Sequence, residues 1–143
     1  MSTGSAPRIE KITIGGLFGA YDYVLPPPGT TPLGDTVILY GDNGCGKTTI
    51  LQLVFHMLSA ANNKRHRGTL FRIPFKSVCI AMTNGAQLAV SRPDEELVGP
   101  YDLTVQIPGR ESVRCRYDPR QEGHFFPQEM EKNTMRRCSL LVY

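Results

Sequence analysis

The stretch Gly41-Asp42-Asn43-Gly44-Cys45-Gly46-Lys47-Thr48 meets the pattern G-x-x-x-x-G-K-[ST] at every fixed position. These residue types suit one task, the holding of nucleotide phosphates. Glycines let the backbone turn tightly and bring its N–H groups against phosphate oxygens. A helix starting at Lys47 would add unpaired donors and the partial positive charge of its N-terminus. Lys47 brings a point charge for the β- and γ-phosphates and is the one residue here expected to act catalytically. Thr48 brings a hydroxyl ligand for Mg²⁺, and Thr49 is placed to hydrogen-bond the α-phosphate. ATP with Mg²⁺ is therefore the expected ligand of Gly41, Asp42, Asn43, Gly44, Cys45, Gly46, Lys47, Thr48 and Thr49. The rival reading is a glycine-rich turn that binds nothing.

Such a loop needs a strand before it and a helix after it. Residues 36–40 are a short, β-rich apolar run, as a buried strand would be. Over residues 47–61, Ile50, Leu51, Leu53, Val54, Met57, Leu58 and Ala61 fall on one helical face. Residues 62–68 are expected to end that helix, with a basic cluster of Lys64, Arg65 and Arg67. Upstream, residues 8–14 and 21–25 read as two strands, and the proline-rich residues 26–34 as a loop. Tyr21, Tyr23 and Leu25 share one face of the second strand.

Downstream the apolar period changes to two. Residues 71–75 and 77–82 read as strand material broken by Pro74. Asn84-Gly85 is a hairpin turn, with its return strand over residues 86–91. Residues 102–107 and 112–117 would pair across a turn at 108–111. The segment 70–117 is thus expected to be an antiparallel meander. Residues 118–143 read as irregular, with a short helix at 128–137 and an apolar β-rich run at 139–143.

Residues 36–53 resemble the first motif of ABC-type ATPases, and the inner Asn43-Gly44 pair narrows the likeness to that branch. Residues 9–25 resemble the opening hairpin of chromosome-maintenance, RecF-like and related DNA-repair and phage-defence ATPases, which are also grouped with AAA-family ATPases. The resemblance implies an α/β fold: a P-loop NTPase core with an N-terminal β-hairpin and an antiparallel β-meander, forming an incomplete ABC-type N-terminal lobe. In those terms residues 1–7 are a disordered terminus and residues 8–143 the nucleotide-binding lobe. Hairpin, P-loop and helix would occupy 8–61, and the meander 70–117. The resemblance also places Gly16, Leu17 and Phe18 near the base or sugar; the alternative makes Leu17 and Phe18 core residues. It implies a second lobe or a second copy to complete the site, and closure that acts on DNA or an effector protein.

Other parts of that machinery are missing. Hydrolysis needs an apolar strand ending in Asp-Glu, which hold Mg²⁺ and polarise the attacking water. Asp94-Glu95-Glu96 is the main acidic cluster, but Ser91-Arg92-Pro93 precedes it, so it does not qualify. There is no LSGG-like signature and no switch histidine; His56, His66 and His124 read as solvated. Gln87, Gln106, Gln121 and Gln128 are candidates for a nucleotide-sensing glutamine, with Gln121 or Gln128 better placed. The chain is thus expected to hydrolyse ATP only when completed. The apolar run at 139–143 favours a piece of a longer protein over a split subunit or a natural remnant. The alternative function is a catalytically silent nucleotide sensor. A small-molecule kinase is weaker, because the helix is followed by antiparallel hairpins.

The remaining features exclude more than they assign. The 143 residues suffice for one domain, and 16 Lys+Arg against 13 Asp+Glu give a net charge of +3, too little to argue nucleic-acid binding. Lys64, Arg65 and Arg67, then Arg110, Arg114, Arg116 and Arg120, support at most a weak nucleic-acid contact. No apolar run is long enough for a membrane span and no signal-peptide core is present, so a cytoplasmic protein is expected. Cys45, Cys79, Cys115 and Cys138 are too widely spaced for a C-x-x-C zinc site. Cys45 is either a redox-sensitive thiol in the loop or simply a small residue that fits there.

Overall fold

Alternation of apolar and polar residues over short runs calls for strands, and strands outweigh helices among the described residues. The structure, a computed structural model, describes residues 6–59, 64–93 and 96–120. Among these residues six strands are formed: β1 (Ile9–Leu17), β2 (Tyr21–Leu25), β3 (Ser77–Met82), β4 (Gln87–Ser91), β5 (Tyr101–Gln106) and β6 (Val113–Tyr117). They make one sheet in the order β2-β1-β3-β4-β5-β6, and every neighbouring pair is antiparallel.

Register aligns the apolar residues in rows. Leu25, Ile12, Ile80, Leu88 and Val105 lie side by side across five strands. Tyr23, Ile14, Val78, Val90 and Leu103 form the next row on the same face. A slip of one residue would turn both rows to the other side, so burial of this face fixes the pairing. Two helices cover it, α1 (Lys47–Leu58) and α2 (Lys64–Arg72). Ile50, Leu53 and Met57 of α1 are three and four residues apart and form its buried stripe. Leu70 of α2, Ile73 and Phe75 extend the same core.

The expected α/β fold is overturned. The sheet has no parallel pair, and residues 36–40 join none of its strands. β2 and β3 occupy the two positions beside β1, and the hairpin and meander form one continuous sheet. Val37, Ile38 and Tyr40 are 48%, 68% and 90% exposed. Their composition suits a buried strand, but a strand needs a neighbour, and local sequence cannot supply one. The described residues therefore do not form a P-loop NTPase core of parallel strands.

Two helix boundaries also differ from expectation. α1 ends at Leu58, closed by the Ser59 N–H donating to the Phe55 carbonyl. Residues 64–72 form α2 instead of a helix end followed by a strand. The carbonyls at its C-terminus are satisfied from afar. Arg92, the residue after β4, donates to the Leu70 and Phe71 carbonyls, and the Gly99 N–H also reaches Phe71. Such a cap is invisible in the sequence of the helix itself. The expected helix at 128–137, the run at 139–143, and Asp94, Glu95, Gln121, His124, Gln128 and Cys138 lie outside the described residues, as do residues 1–5.

Candidate functional site

Residues 41–46 make a loop that turns directly into α1. Gly44 and Gly46 have φ of 86° and 96°, a region glycine enters without a steric penalty. Gly46 caps α1 and offers no side-chain acceptor to the N–H groups of the first turn. No acidic residue lies in that turn either. The helix N-terminus thus keeps its donors and positive end for an anion. The Lys47 Nζ folds back over the loop and donates to the Gly41 and Asp42 carbonyls at 2.7 and 2.8 Å. It is 3.9 Å from the Cys45 Sγ. An arriving phosphate would exchange with those carbonyls as the partner of the ammonium. Thr48 is exposed in the same turn and Thr49 half-buried; Asp42 and Asn43 are exposed. Main-chain N–H groups, one ammonium and two hydroxyls form a donor set that fits a polyphosphate. The Thr48 hydroxyl fits a Mg²⁺ carried with it.

The hairpin supports this loop from one side. A Cβ added at Gly46 would lie 2.7 Å from Leu17 Cδ2 and 3.2 Å from Phe18 Cε2. Leu17 is fully buried and belongs to the core. Phe18 is 40% exposed, has φ of 54°, and its N–H donates to the Pro74 carbonyl. Gly16 has φ of 63° and donates its N–H to the Asp22 carboxylate at 2.8 Å. So Leu17 is a packing residue, while Phe18 sits at the rim of the loop.

The sequence did not single out Tyr23. Its hydroxyl donates to the Cys45 carbonyl at 2.5 Å, tying β2 to the middle of the loop. Burial, then the neighbouring Cys45 and Tyr21, raise its pKa, so the phenol remains a donor. The only sequence signal was its place on one strand face with Tyr21, on which it stacks at 6.1 Å.

Other candidate residues lie elsewhere. Gln87 and Gln106 face each other across β4 and β5. Gln87 pairs with Ala81, and Ala81 with Lys11, at the end of β1 away from Leu17 and the loop. Arg114 is paired with Asp102 at 2.8 Å and Arg120 with Asp118 at 3.2 Å, while Arg110 and Arg116 are exposed. His56 and His66 were expected to be separately solvated. Instead their Nδ1 atoms are 2.8 Å apart. Cys45, Cys79 and Cys115 are free thiols. Among the described residues no three His, Cys, Asp or Glu side chains gather to hold a metal. Nor is any helix among them long and apolar enough to cross a membrane.

A 42-residue stretch of the chain is 43% identical to the ATP-binding protein Uup of Escherichia coli (strain K12). That stretch is 29% of this chain and 7% of Uup. No protein-family profile matches the chain. The likeness to Uup carries nothing about DNA repair or phage defence.

Proposed function

We propose that this chain binds the phosphates of Mg-ATP on residues 41–49, within an ABC-type ATP-binding protein. The observation that carries the reading is the Lys47 ammonium, held over a helix N-terminus that no side chain caps. The partial likeness to Uup, an ABC-family ATPase, supports the same ligand. In this reading the loop N–H groups and Lys47 hold the β- and γ-phosphates. Thr48 ligates Mg²⁺ and Thr49 bonds the α-phosphate. The sequence has no Asp-Glu pair at the end of an apolar strand, so the chain binds ATP without turning it over. A second lobe would bring the missing carboxylate, and an effector protein would read the closed state.

The test is titration of a fluorescent ATP analogue with Mg²⁺, alongside phosphate release. Lys47→Ala removes a charge-assisted contact of about 1.5–3 kcal/mol. Affinity should then fall roughly 10- to 100-fold, and phosphate release from the unaltered chain should stay at background. Unchanged affinity in Lys47→Ala would remove the basis of the proposal.

A further inference from the structure

At the opposite end of α1 from the loop, two imidazoles meet. His56 lies in the last turn of α1 and His66 on α2. Their Nδ1 atoms are 2.8 Å apart, and the His66 Nε2 is 3.0 Å from the Ser59 Oγ. The Phe55 ring meets both imidazoles edge-on, with centroids 5.2 and 5.5 Å away. Both histidines are half-buried, so water still reaches them. At 2.8 Å one Nδ1 carries a hydrogen and the other a lone pair.

We propose that His56 and His66 form a binding site for a late divalent transition metal, Ni²⁺ or Cu²⁺, using both Nδ1 atoms. Imidazole is the preferred protein ligand of these ions. Two metal–nitrogen bonds of about 2.0–2.1 Å at a right angle set the donor atoms about 2.9 Å apart. A tetrahedral site would need about 3.3 Å. The observed 2.8 Å, which is also a hydrogen-bond length, lies nearer the right-angled separation, the geometry of Ni²⁺ and Cu²⁺ sites. The carbonyl end of α1 favours a cation beside His56, while His66 lies in the first turn of α2, whose positive end opposes it. Arg67, the next residue after His66, acts electrostatically on Tyr101 and Cys115.

The protons balance in either tautomer. The hydrogen shared between the two Nδ1 atoms moves to the Nε2 of its own ring, so both Nδ1 lone pairs face the metal. A hydrogen on His66 Nε2 then donates to the Ser59 Oγ, and no net proton leaves the neutral pair. Water fills the remaining coordination positions. This site is separate from the Mg²⁺ proposed at Thr48. Eight residues of helix, about 12 Å along the axis, separate His56 from Thr48. The inference therefore does not rest on nucleotide binding.

The experiment uses the tag-free chain with Cu²⁺ or Ni²⁺ alone. One equivalent of Cu²⁺ should give an electron paramagnetic resonance spectrum coupled to two imidazole nitrogens, a readout that needs no variant. Ni²⁺ affinity should fall roughly tenfold or more in H56Q and in H66Q. It should be unchanged in H124Q, the third histidine of the chain, and in K47A. Coupling to fewer than two nitrogens would overturn the proposal. So would Ni²⁺ affinity that H66Q leaves intact, or that H124Q abolishes.

Discussion

Gly46→Ala tests whether the hairpin holds the loop at residues 41–46 in place. The new methyl would stand 2.7 Å from Leu17 Cδ2 and 3.2 Å from Phe18 Cε2. Leu17 has no exposed surface and is packed in the core, so it cannot step aside cheaply. The backbone at φ 96° adds about 1–2 kcal/mol of strain for any residue with a Cβ. Overlap with a packed leucine adds about 1–3 kcal/mol more. Gly44→Ala is the control. It has a similar φ of 86°, but its Cβ would meet nothing within 4 Å. It should therefore cost only the backbone strain, about 1–2 kcal/mol. Urea titration of both variants isolates the packing of loop on hairpin as their difference. A Gly46→Ala/Leu17→Ala double variant should be less destabilised than the sum of the single changes, because the clash is gone. Gly46→Ala should also weaken Mg-ATP binding, tenfold for each ~1.4 kcal/mol that binding must restore. If the two glycine variants match within about 0.5 kcal/mol, the packing argument fails.

Further predictions follow from the same contacts. Arg92 is 7% exposed, donates to the Phe75 and Leu70 carbonyls at 2.7 Å each, and lies 4.0 Å over the Phe75 ring. Burial lowers its pKa to about 10, so it is a cation at neutral pH, and Arg92→Met should cost about 3–5 kcal/mol by leaving those carbonyls unmet. Denaturant unfolding checks this. Tyr23→Phe should lose about 0.5–1.5 kcal/mol of stability and weaken Mg-ATP binding several-fold, measured by analogue titration, because the Cys45 carbonyl is released. Cys79 and Cys115 have pKa values raised chiefly by burial, opposed by Lys11 and Arg67 respectively. Their thiolates form only above the usual thiol range, so iodoacetamide at pH 8 should label both slowly in the folded chain and quickly in urea. Mass spectrometry reads the difference.

Much of the strand layout was legible because its signal is local. Ile12 and Ile14, or Val78 and Ile80, alternate with polar or small residues, and Asn84-Gly85 marks a tight turn without any distant partner. The loop and the start of α1 were legible for the same reason, since glycines, Lys47 and the Ile50-Leu53-Met57 stripe state their geometry within a few residues. The second helix was not. Its carbonyl end is capped by Arg92, and nothing within residues 64–72 announces that. Tyr23 and the His56–His66 pair were equally hidden, because each contact joins residues on different elements.

By itself, then, the sequence determined a phosphate-suited loop, an amphipathic helix behind it and a set of alternating strands. Tertiary structure decided how those parts are joined. It joined hairpin and meander into one antiparallel sheet and left residues 36–40 beside it, unpaired. Strand propensity describes a side-chain pattern, whereas a strand is completed only by a neighbour whose backbone is free to bond. β1 already had two such neighbours, β2 and β3, and the apolar run before the loop pairs with neither edge strand, β2 or β6.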